Sequence, residues 1–169
     1  MPVHRLNHAV LYVRDVDASV AFYRDVLGFR TINRLPGAAF LQAPGSTNDH
    51  DLGLFEIGAQ AAPSGAGRST VGLYHLAWEV DTLGELQRLA GVLSDAGALV
   101  GASDHSTTKA LYAKDPDGLE FEVCWLVPAD RIDEAVKEGA TGIRRLDLAR
   151  EIVRYGADTR GGVGVSVPA

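Results

Sequence analysis

The chain has 169 residues, of which 46% are hydrophobic and 22% are charged, and its formal net charge is −6. This length and balance fit one globular domain with a buried core and exclude a largely disordered chain. The negative net charge argues against long-range attraction to nucleic acid or to an anionic membrane surface. We therefore expect the partners to be small molecules or further copies of the chain.

The cysteine content and the absence of long apolar segments bear on the compartment. Cys124 is the single cysteine, so an intramolecular disulfide is excluded. The first residues show neither the basic segment nor the long apolar segment of a secretion signal. No stretch approaches the roughly 20 apolar residues that span a bilayer. These features predict a cytoplasmic protein without a membrane anchor.

The first part of the chain reads as one strand, one helix and three further strands. Residues 5–13 alternate between polar and apolar types, which predicts a strand. Residues 17–27 have helical spacing, with Asp17 as the predicted N-cap and Gly28 just past the end. Turn residues then separate three short predicted strands, at 29–34, 38–43 and 51–57. Module one, residues 1–57, is therefore predicted to be βαβββ.

The same order returns after a linker, residues 58–70, that is rich in Gly, Ala, Ser and Pro. A strand is predicted at 71–80. Thr82 with Glu85 three residues later forms a capping-box pattern that predicts a helix, and Gly97 ends it. Three further strands are predicted at 99–102, 109–114 and 119–127. Module two, residues 71–127, is a second βαβββ unit.

A C-terminal extension, residues 128–169, follows the second module. Helical spacing recurs at 129–137 and 146–155, and the glycine-rich end from Gly161 is predicted to be mobile. We expect this extension to serve packing or dimer formation. The predicted fold is α+β: a single domain, residues 1–169, in which two tandem βαβββ modules form a curved mixed sheet that encloses a cleft, with a helical tail.

Two histidines occupy equivalent places in the two modules. Gly28 follows His8 by 20 residues, and Gly97 follows His75 by 22. Because the modules repeat one topology, the two imidazoles are expected to face one shared site. Taken singly, a histidine in a strand is more often a structural or exposed residue than a ligand. The paired placement favours the ligand interpretation.

A carboxylate completes the metal hypothesis. Glu122 lies on the strand that follows the turn Asp115-Pro116-Asp117-Gly118, and its counterpart in module one is Gly53. The set His8, His75 and Glu122 thus gives three protein ligands with open positions opposite. That arrangement suits non-haem Fe(II), and zinc tolerates the same donors.

The chain resembles the vicinal oxygen chelate superfamily across residues 5–127, and within it the type I extradiol ring-cleaving dioxygenases. The resemblance implies that His8, His75 and Glu122 are the iron ligands. It further implies that His50 is the acid-base histidine of the active site. Tyr112, ten residues before Glu122, and His105 match the family residues that contact the substrate oxygens.

The implied activity is cleavage of a catechol-type vicinal diol by O2. The implied cofactor is Fe(II), and the same donors suit Mn(II). A homodimer or higher homo-oligomer is expected. Two other functions stay open: a metal-dependent isomerase or lyase of the glyoxalase kind, which Gly53 argues against, and a metal-free drug-sequestering protein, which the retained donors argue against.

Several titratable residues near the site have simpler interpretations. Glu120 shares a strand face with Glu122, and the family pattern decides for Glu122. Glu56 is out of register with Gly53 and is interpreted as a surface charge. Cys124 is interpreted as a small buried hydrophobic residue. His4 has no counterpart in the second module and receives no role.

Overall fold

A computed structural model of the chain describes residues 2–3, 5–66, 69–139 and 142–162. The chain forms two compact units. Unit 1 comprises Met1–Gly65 and Asp115–Leu119, and unit 2 comprises Ala66–Lys114 and Glu120–Ala169. Each unit holds one sheet. The turn Asp115–Leu119, which joins two strands of the second sheet, nevertheless belongs to unit 1.

Unit 1 contains a four-stranded mixed sheet in the order β1-β4-β3-β2. The first and last strands of the unit run parallel, and the other pairs are antiparallel. The elements in chain order are β1 (Ala9–Val13), α1 (Val16–Leu27), β2 (Arg30–Leu35), β3 (Ala38–Gln42) and β4 (Leu52–Glu56).

Unit 2 repeats this order and adds a fifth strand at the edge, giving β5-β8-β7-β6-β9. β5 and β8 are parallel, as β1 and β4 are. The elements up to β8 are β5 (Leu76–Glu79), α2 (Leu83–Asp95), β6 (Leu99–Asp104), β7 (Thr108–Lys114) and β8 (Glu120–Leu126). The remaining elements are a 3-10 turn (Ala129–Arg131), α3 (Glu134–Gly139), β9 (Arg144–Arg145) and α4 (Leu148–Tyr155).

The repeat extends to an irregularity in each sheet. The pairing of β2 with β3 shifts by one residue between Thr31 and Asn33. The pairing of β6 with β7 shifts in the same way between Leu99 and Gly101. Each shift inserts one extra residue at the equivalent place, which is a β-bulge. The α+β fold with two βαβββ units is therefore confirmed.

The two strands that follow the predicted histidines are shorter than predicted. β1 begins at Ala9, opposite Leu52, the first residue of β4. β5 begins at Leu76, opposite Phe121 near the start of β8. His8 and His75 consequently lie one residue ahead of their strands.

The ends of the helices follow local hydrogen bonding. Asp15, rather than the predicted Asp17, is the N-cap of α1, and its side chain accepts from the N–H groups of Asp17 and Ala18. Thr82 caps α2 as predicted, accepting from the N–H of Glu85 at 3.2 Å. Gly28 ends α1 with φ 75°, a conformation that costs a side-chain-bearing residue steric strain.

Each sheet buries one face under its helix. In unit 1, Leu41, Leu52 and Leu54 are fully buried, and the Tyr23 hydroxyl donates to Asp115 Oδ2 at 3.2 Å. In unit 2, Leu86 and Trp125 are fully buried. Each such large apolar side chain contributes about 1.5–3 kcal/mol through burial. These layers fix the sheets and leave their opposite faces available for polar residues.

The tail belongs to unit 2 and packs against the second sheet. β9 pairs with β6, and the indole N–H of Trp125 donates to the carbonyl of Thr159 at 3.1 Å. Gly161 donates its N–H to the carbonyl of Asp81, so the predicted mobile end does not begin there. Residues 163–169, on which the rest of that prediction falls, lie outside the described residues. Within the described ranges, the helices are too short or too polar to cross a membrane.

Two glycine substitutions test the helix ends against the helix interior. We expect Gly28→Ala to lower the free energy of unfolding by about 1 kcal/mol, because Gly28 has φ 75°. We expect Gly91→Ala to raise it by about 0.5–1 kcal/mol, because Gly91 lies inside α2 with open space around its Cα. Urea unfolding followed by circular dichroism measures both.

Each of the two variants is the control for the other, because both add one methyl group. Equal effects of the same sign would contradict the assignment of Gly28 to a left-handed helix end and of Gly91 to an exposed helix position.

Candidate functional site

In unit 2, His75 and Glu122 form a close pair. The parallel ladder of β5 and β8 sets Ala77 opposite Glu122, and His75 lies two residues before Ala77 on the same face. His75 Nε2 lies 3.1 Å from Glu122 Oε2, and the two side chains are 23% and 12% exposed. The pair is therefore partly shielded from solvent yet still accessible.

This pair fits two ligands of one divalent metal ion. Two donors that each bind a metal at about 2.1 Å in neighbouring octahedral positions lie about 3 Å apart, close to the observed separation. His75 Nδ1 is buried and has no hydrogen-bond partner among the described residues. The ring contacts Tyr74 instead, at a centroid distance of 4.6 Å. Packing and Glu122 together set the orientation of the imidazole.

Tyr112 and His105 lie beside this pair. Tyr112 on β7 is directly opposite Glu122 on β8, and its ring centroid is 5.8 Å from that of His75. The Tyr112 hydroxyl is 2.8 Å from His105 Nε2. Burial, followed by the nearby Glu122 carboxylate, raises the pKa of Tyr112 to about 12. The hydroxyl therefore stays protonated at neutral pH and can donate to His105 or to a ligand oxygen.

In unit 1, His8 and His50 lie together. Their ring centroids are 4.4 Å apart. The rings of His50 and Phe40 are arranged edge to face, with centroids 5.2 Å apart. His50 Nδ1 is 3.1 Å from Asp49 Oδ2 and its side chain is 18% exposed, whereas His8 is exposed and bonds Asn7. The backbone N–H of His50, followed by its ring, lowers the pKa of Asp49.

The loop that carries His50 is tied down by Asp51. This buried carboxylate accepts from the N–H of Ala43 at 2.8 Å and from the Ser46 hydroxyl at 2.7 Å. The Asn48 side chain donates to the same carboxylate at 2.7 Å. Charge-assisted hydrogen bonds of this kind are stronger than those between neutral groups. Asp51 thus fixes the segment that ends in His50.

The strand registers confirm that Gly53 is the counterpart of Glu122. Gly53 lies opposite Val10, two residues after His8, just as Glu122 lies opposite Ala77, two after His75. A Cβ at Gly53 would lie 3.3 Å from a methyl group of Val10. Unit 1 therefore supplies no carboxylate at this position.

The remaining candidate groups have structural surroundings. Glu56 Oε2 accepts from the N–H of Val16 at 3.0 Å, so this exposed carboxylate caps α1. Burial, followed by Glu122 and Glu79, raises the pKa of Cys124 to about 12, which makes its thiol inert. His4 lies outside the described residues.

The predicted site residues therefore fall into two groups. Unit 2 brings together His75, Glu122, Tyr112 and His105, and unit 1 brings together His8 and His50. In neither unit, over its described residues, do three His, Cys, Asp or Glu side chains converge closely enough to hold a metal ion.

The sequence interpretation missed Phe40 and Asp51. Phe40 lies opposite Gly53, as Tyr112 lies opposite Glu122, so the repeat alone could have identified it. Asp51 carried no such signal, because its partners lie in an irregular loop.

Comparison with known proteins identifies the family. The profile of the Glyoxalase/Bleomycin resistance protein/Dioxygenase superfamily matches residues 5–123. The chain is 32% identical over 118 residues to "Catechol-2,3-dioxygenase" of Bacillus subtilis (strain 168), covering 70% of this chain and 40% of the relative. It is 34% identical over 125 residues to "Biphenyl-2,3-diol 1,2-dioxygenase 3" of Rhodococcus globerulus, covering 70% of this chain and 62% of the relative.

The chain thus spans about half the length of the curated relatives it matches. A solved structure has the same fold: the glyoxylase/bleomycin resistance protein/dioxygenase domain from Frankia sp. EAN1pec, with a TM-score of 0.61 and 23% identity. The match covers 73% of this chain and 92% of that domain. These findings confirm the resemblance seen in the sequence. The chain belongs to the Glyoxalase/Bleomycin resistance protein/Dioxygenase superfamily, that is, to the vicinal oxygen chelate proteins.

Proposed function

We propose that the protein is a non-haem Fe(II)-dependent extradiol dioxygenase that cleaves a catechol-type vicinal diol with O2. The observation that carries this proposal is the His75–Glu122 pair, with donors 3.1 Å apart and Tyr112 in register beside it. The names of the two curated relatives, a catechol and a biphenyl-diol dioxygenase, support the same reaction class.

The proposed metal ligands are His75, Glu122 and His8. The first two are supported by their geometry, and His8 by its equivalence to His75 in the repeated topology. Two neutral imidazoles and one carboxylate suit Fe(II), and Mn(II) accepts the same donors. When bound, the metal supplies Lewis-acid activation of the diol and a path for electrons between the ring and dioxygen.

Tyr112 is proposed to orient the diol. Its hydroxyl keeps its proton because the pKa is raised to about 12, first by burial and then by Glu122. A protonated hydroxyl can donate to one diol oxygen. His105 Nε2, 2.8 Å from the same hydroxyl, is proposed to hold it in place by donating its N–H to the hydroxyl oxygen, so that the Tyr112 proton stays available for the diol.

His50 is proposed to hold and deliver a proton during ring cleavage. Its Nδ1 faces Asp49 at 3.1 Å, which leaves Nε2 for the proton that is transferred. Histidine is the side chain best suited to proton exchange near neutral pH. The edge contact with Phe40 restricts the tilt of the ring. A cytoplasmic homodimer or higher homo-oligomer acting on a small diol completes the proposal.

Two other activities of the superfamily fit the residues less well. A glyoxalase-like isomerase would use a carboxylate from the first unit, but Gly53 occupies the equivalent position and Glu56 caps α1. A metal-free sequestering protein has no need of the His75–Glu122 pair. Metal content and oxygen uptake separate these activities from ring cleavage.

The first test is turnover of the protein loaded anaerobically with Fe(II). With a panel from catechol to 2,3-dihydroxybiphenyl, we expect a yellow ring-opened product and uptake of one O2 per diol. His75→Ala should abolish turnover because it removes a metal ligand. His50→Ala should slow turnover about 10²- to 10⁴-fold, the usual effect of losing a general acid, while the metal stays bound.

Glu122→Gln and Glu120→Gln provide a matched comparison, because both alter a glutamate of β8 on the same face. Metal analysis after dialysis should show loss of iron in Glu122→Gln and retention in Glu120→Gln. The reverse result would refute Glu122 as the ligand. Tight metal binding without oxygen uptake on any diol would favour the isomerase, and failure to bind metal would favour the sequestering protein.

Tyr112→Phe separates diol orientation from metal binding. The variant keeps the aromatic ring and loses only the hydroxyl, so we expect unchanged iron content and a kcat about 100-fold lower, the effect of losing one well-placed donor. Tyr74→Phe is the control, because Tyr74 is 70% exposed. Loss of iron in Tyr112→Phe, or an equal loss of kcat in Tyr74→Phe, would contradict the proposed role.

A further inference from the structure

The turn that carries His105 is held in an unusual conformation. His105, Ser106 and Thr107 connect β6 to β7, and the N–H of His105 donates to the carbonyl of Thr108 at 2.9 Å. Ser106 has φ 69°, the left-handed region that residues with a side chain rarely occupy. Such a conformation persists only where the surroundings hold it.

The first contact that stabilises this turn comes from α3. Ser106 is buried, and its hydroxyl donates to the carbonyl of Val136 in α3. Gly139, at the end of the same helix, packs against it so closely that a Cβ there would lie 2.7 Å from Ser106 Oγ. The tail therefore contacts the residue that follows His105.

The second stabilising contact is a buried cluster of charged residues on the sheet face that carries Lys109. Asp104 Oδ1 accepts from the N–H of Ser106 at 2.7 Å and from Lys109 Nζ at 2.6 Å. Lys109 is only 1% exposed and also pairs with Glu151 of α4 at 3.0 Å. Burial raises the pKa of Asp104, but the hydrogen bonds from Lys109 and Ser106, together with the positive charges of Lys109 and Arg144, lower the pKa overall.

These contacts join the turn to elements outside the matched family region. The family profile ends at residue 123, whereas Val136 and Glu151 lie in the tail. On β7, Lys109 and Tyr112 are three residues apart and so point to opposite faces. The tail therefore contacts the turn from the sheet face that carries Lys109. His105 contacts Tyr112 on the opposite face of the sheet.

We propose that two helices of the C-terminal tail, α3 and α4, position His105. Ser106 and the Asp104–Lys109–Glu151 cluster are positioning residues that keep the His105 imidazole against the Tyr112 hydroxyl. The consequence for catalysis rests on the proposed function, whereas the positioning itself does not. Loosening the tail should therefore displace the His105 ring in a protein whose sheets remain folded.

The experiment reads the ring of His105 directly by NMR of histidine labelled with ¹⁵N in the metal-free protein, assigned with His105→Gln. The test variant is Gly139→Ala, whose added methyl group meets both Ser106 Oγ and the Arg144 guanidinium at 2.7 Å, and its control is Gly142→Ala, where the methyl group meets no described atom within 4 Å. We expect the Nε2 resonance of His105 to move in Gly139→Ala toward its position in Tyr112→Phe, and to stay in place in Gly142→Ala.

A second pair tests the charge cluster. Glu151→Gln removes one partner of the buried Lys109, whereas Glu134→Gln removes a carboxylate that is 81% exposed and pairs with Lys137 at the surface. We expect the same shift of the His105 signal in Glu151→Gln only. Glu151→Asp, which keeps the charge, should restore part of the original signal.

Kinetics provide an additional readout where ring cleavage is observed. Displacement of one positioned group should lower kcat by up to about 100-fold in Gly139→Ala, with the iron content unchanged. An unchanged His105 resonance in both test variants, together with lower thermal midpoints, would show that the tail only stabilises the fold and would overturn the proposal. Because the NMR signal needs neither metal nor diol, it tests positioning separately from the proposed activity.

Discussion

The parallel pairing of β1 with β4 and of β5 with β8 is the constraint on which the site depends. Paired residues on two neighbouring parallel strands point to the same face of the sheet, and residues two positions apart in one strand share a face. A residue two positions before the partner of a given residue therefore lies on the same face as that residue. In unit 2 this pairing aligns His75 with Glu122, and in unit 1 it sets Gly53 in the equivalent place. One backbone pattern thus yields an imidazole in both units and a carboxylate in only one.

The electrostatics around Glu122 are consistent with a cation site. After burial, the charge of Glu122 is the next cause that raises the pKa of both Tyr112 and Cys124. Burial also raises the pKa of Glu79 on the neighbouring strand. Negative charge concentrated in a partly desolvated region is unfavourable unless a positive charge compensates it. A divalent ion beside Glu122 would supply that compensation.

Much of the fold could be predicted because its signals are local. Hydrophobic period and caps identify α1 and α2, and turn residues separate the strands of both sheets. The missed features depend on distant residues. β9 has two residues, Arg144 and Arg145, and forms only because β6 offers a free edge.

The site shows the same division between local and distant signals. The pairing of His8 with His75 and of Gly53 with Glu122 follows from repeat arithmetic. The choice of Glu122 over Glu120 and the roles of His105 and Tyr112 were taken from the resemblance, and the contact between His105 and Tyr112 was not predicted. The contact of Lys109 with Glu151 joins residues that are far apart in sequence, and no periodicity records it.

The two compact units do not coincide with the two modules of the sequence. The turn Asp115–Leu119 belongs to unit 1, where Asp115 accepts from the Tyr23 hydroxyl and Asp117 pairs with Arg14 at 2.7 Å. A gene fragment encoding only residues 1–65 would leave a buried phenol and a guanidinium without these acceptors. The duplicated halves are therefore no longer exchangeable parts, and recombination between the modules would break unit 1 even where it respects the linker.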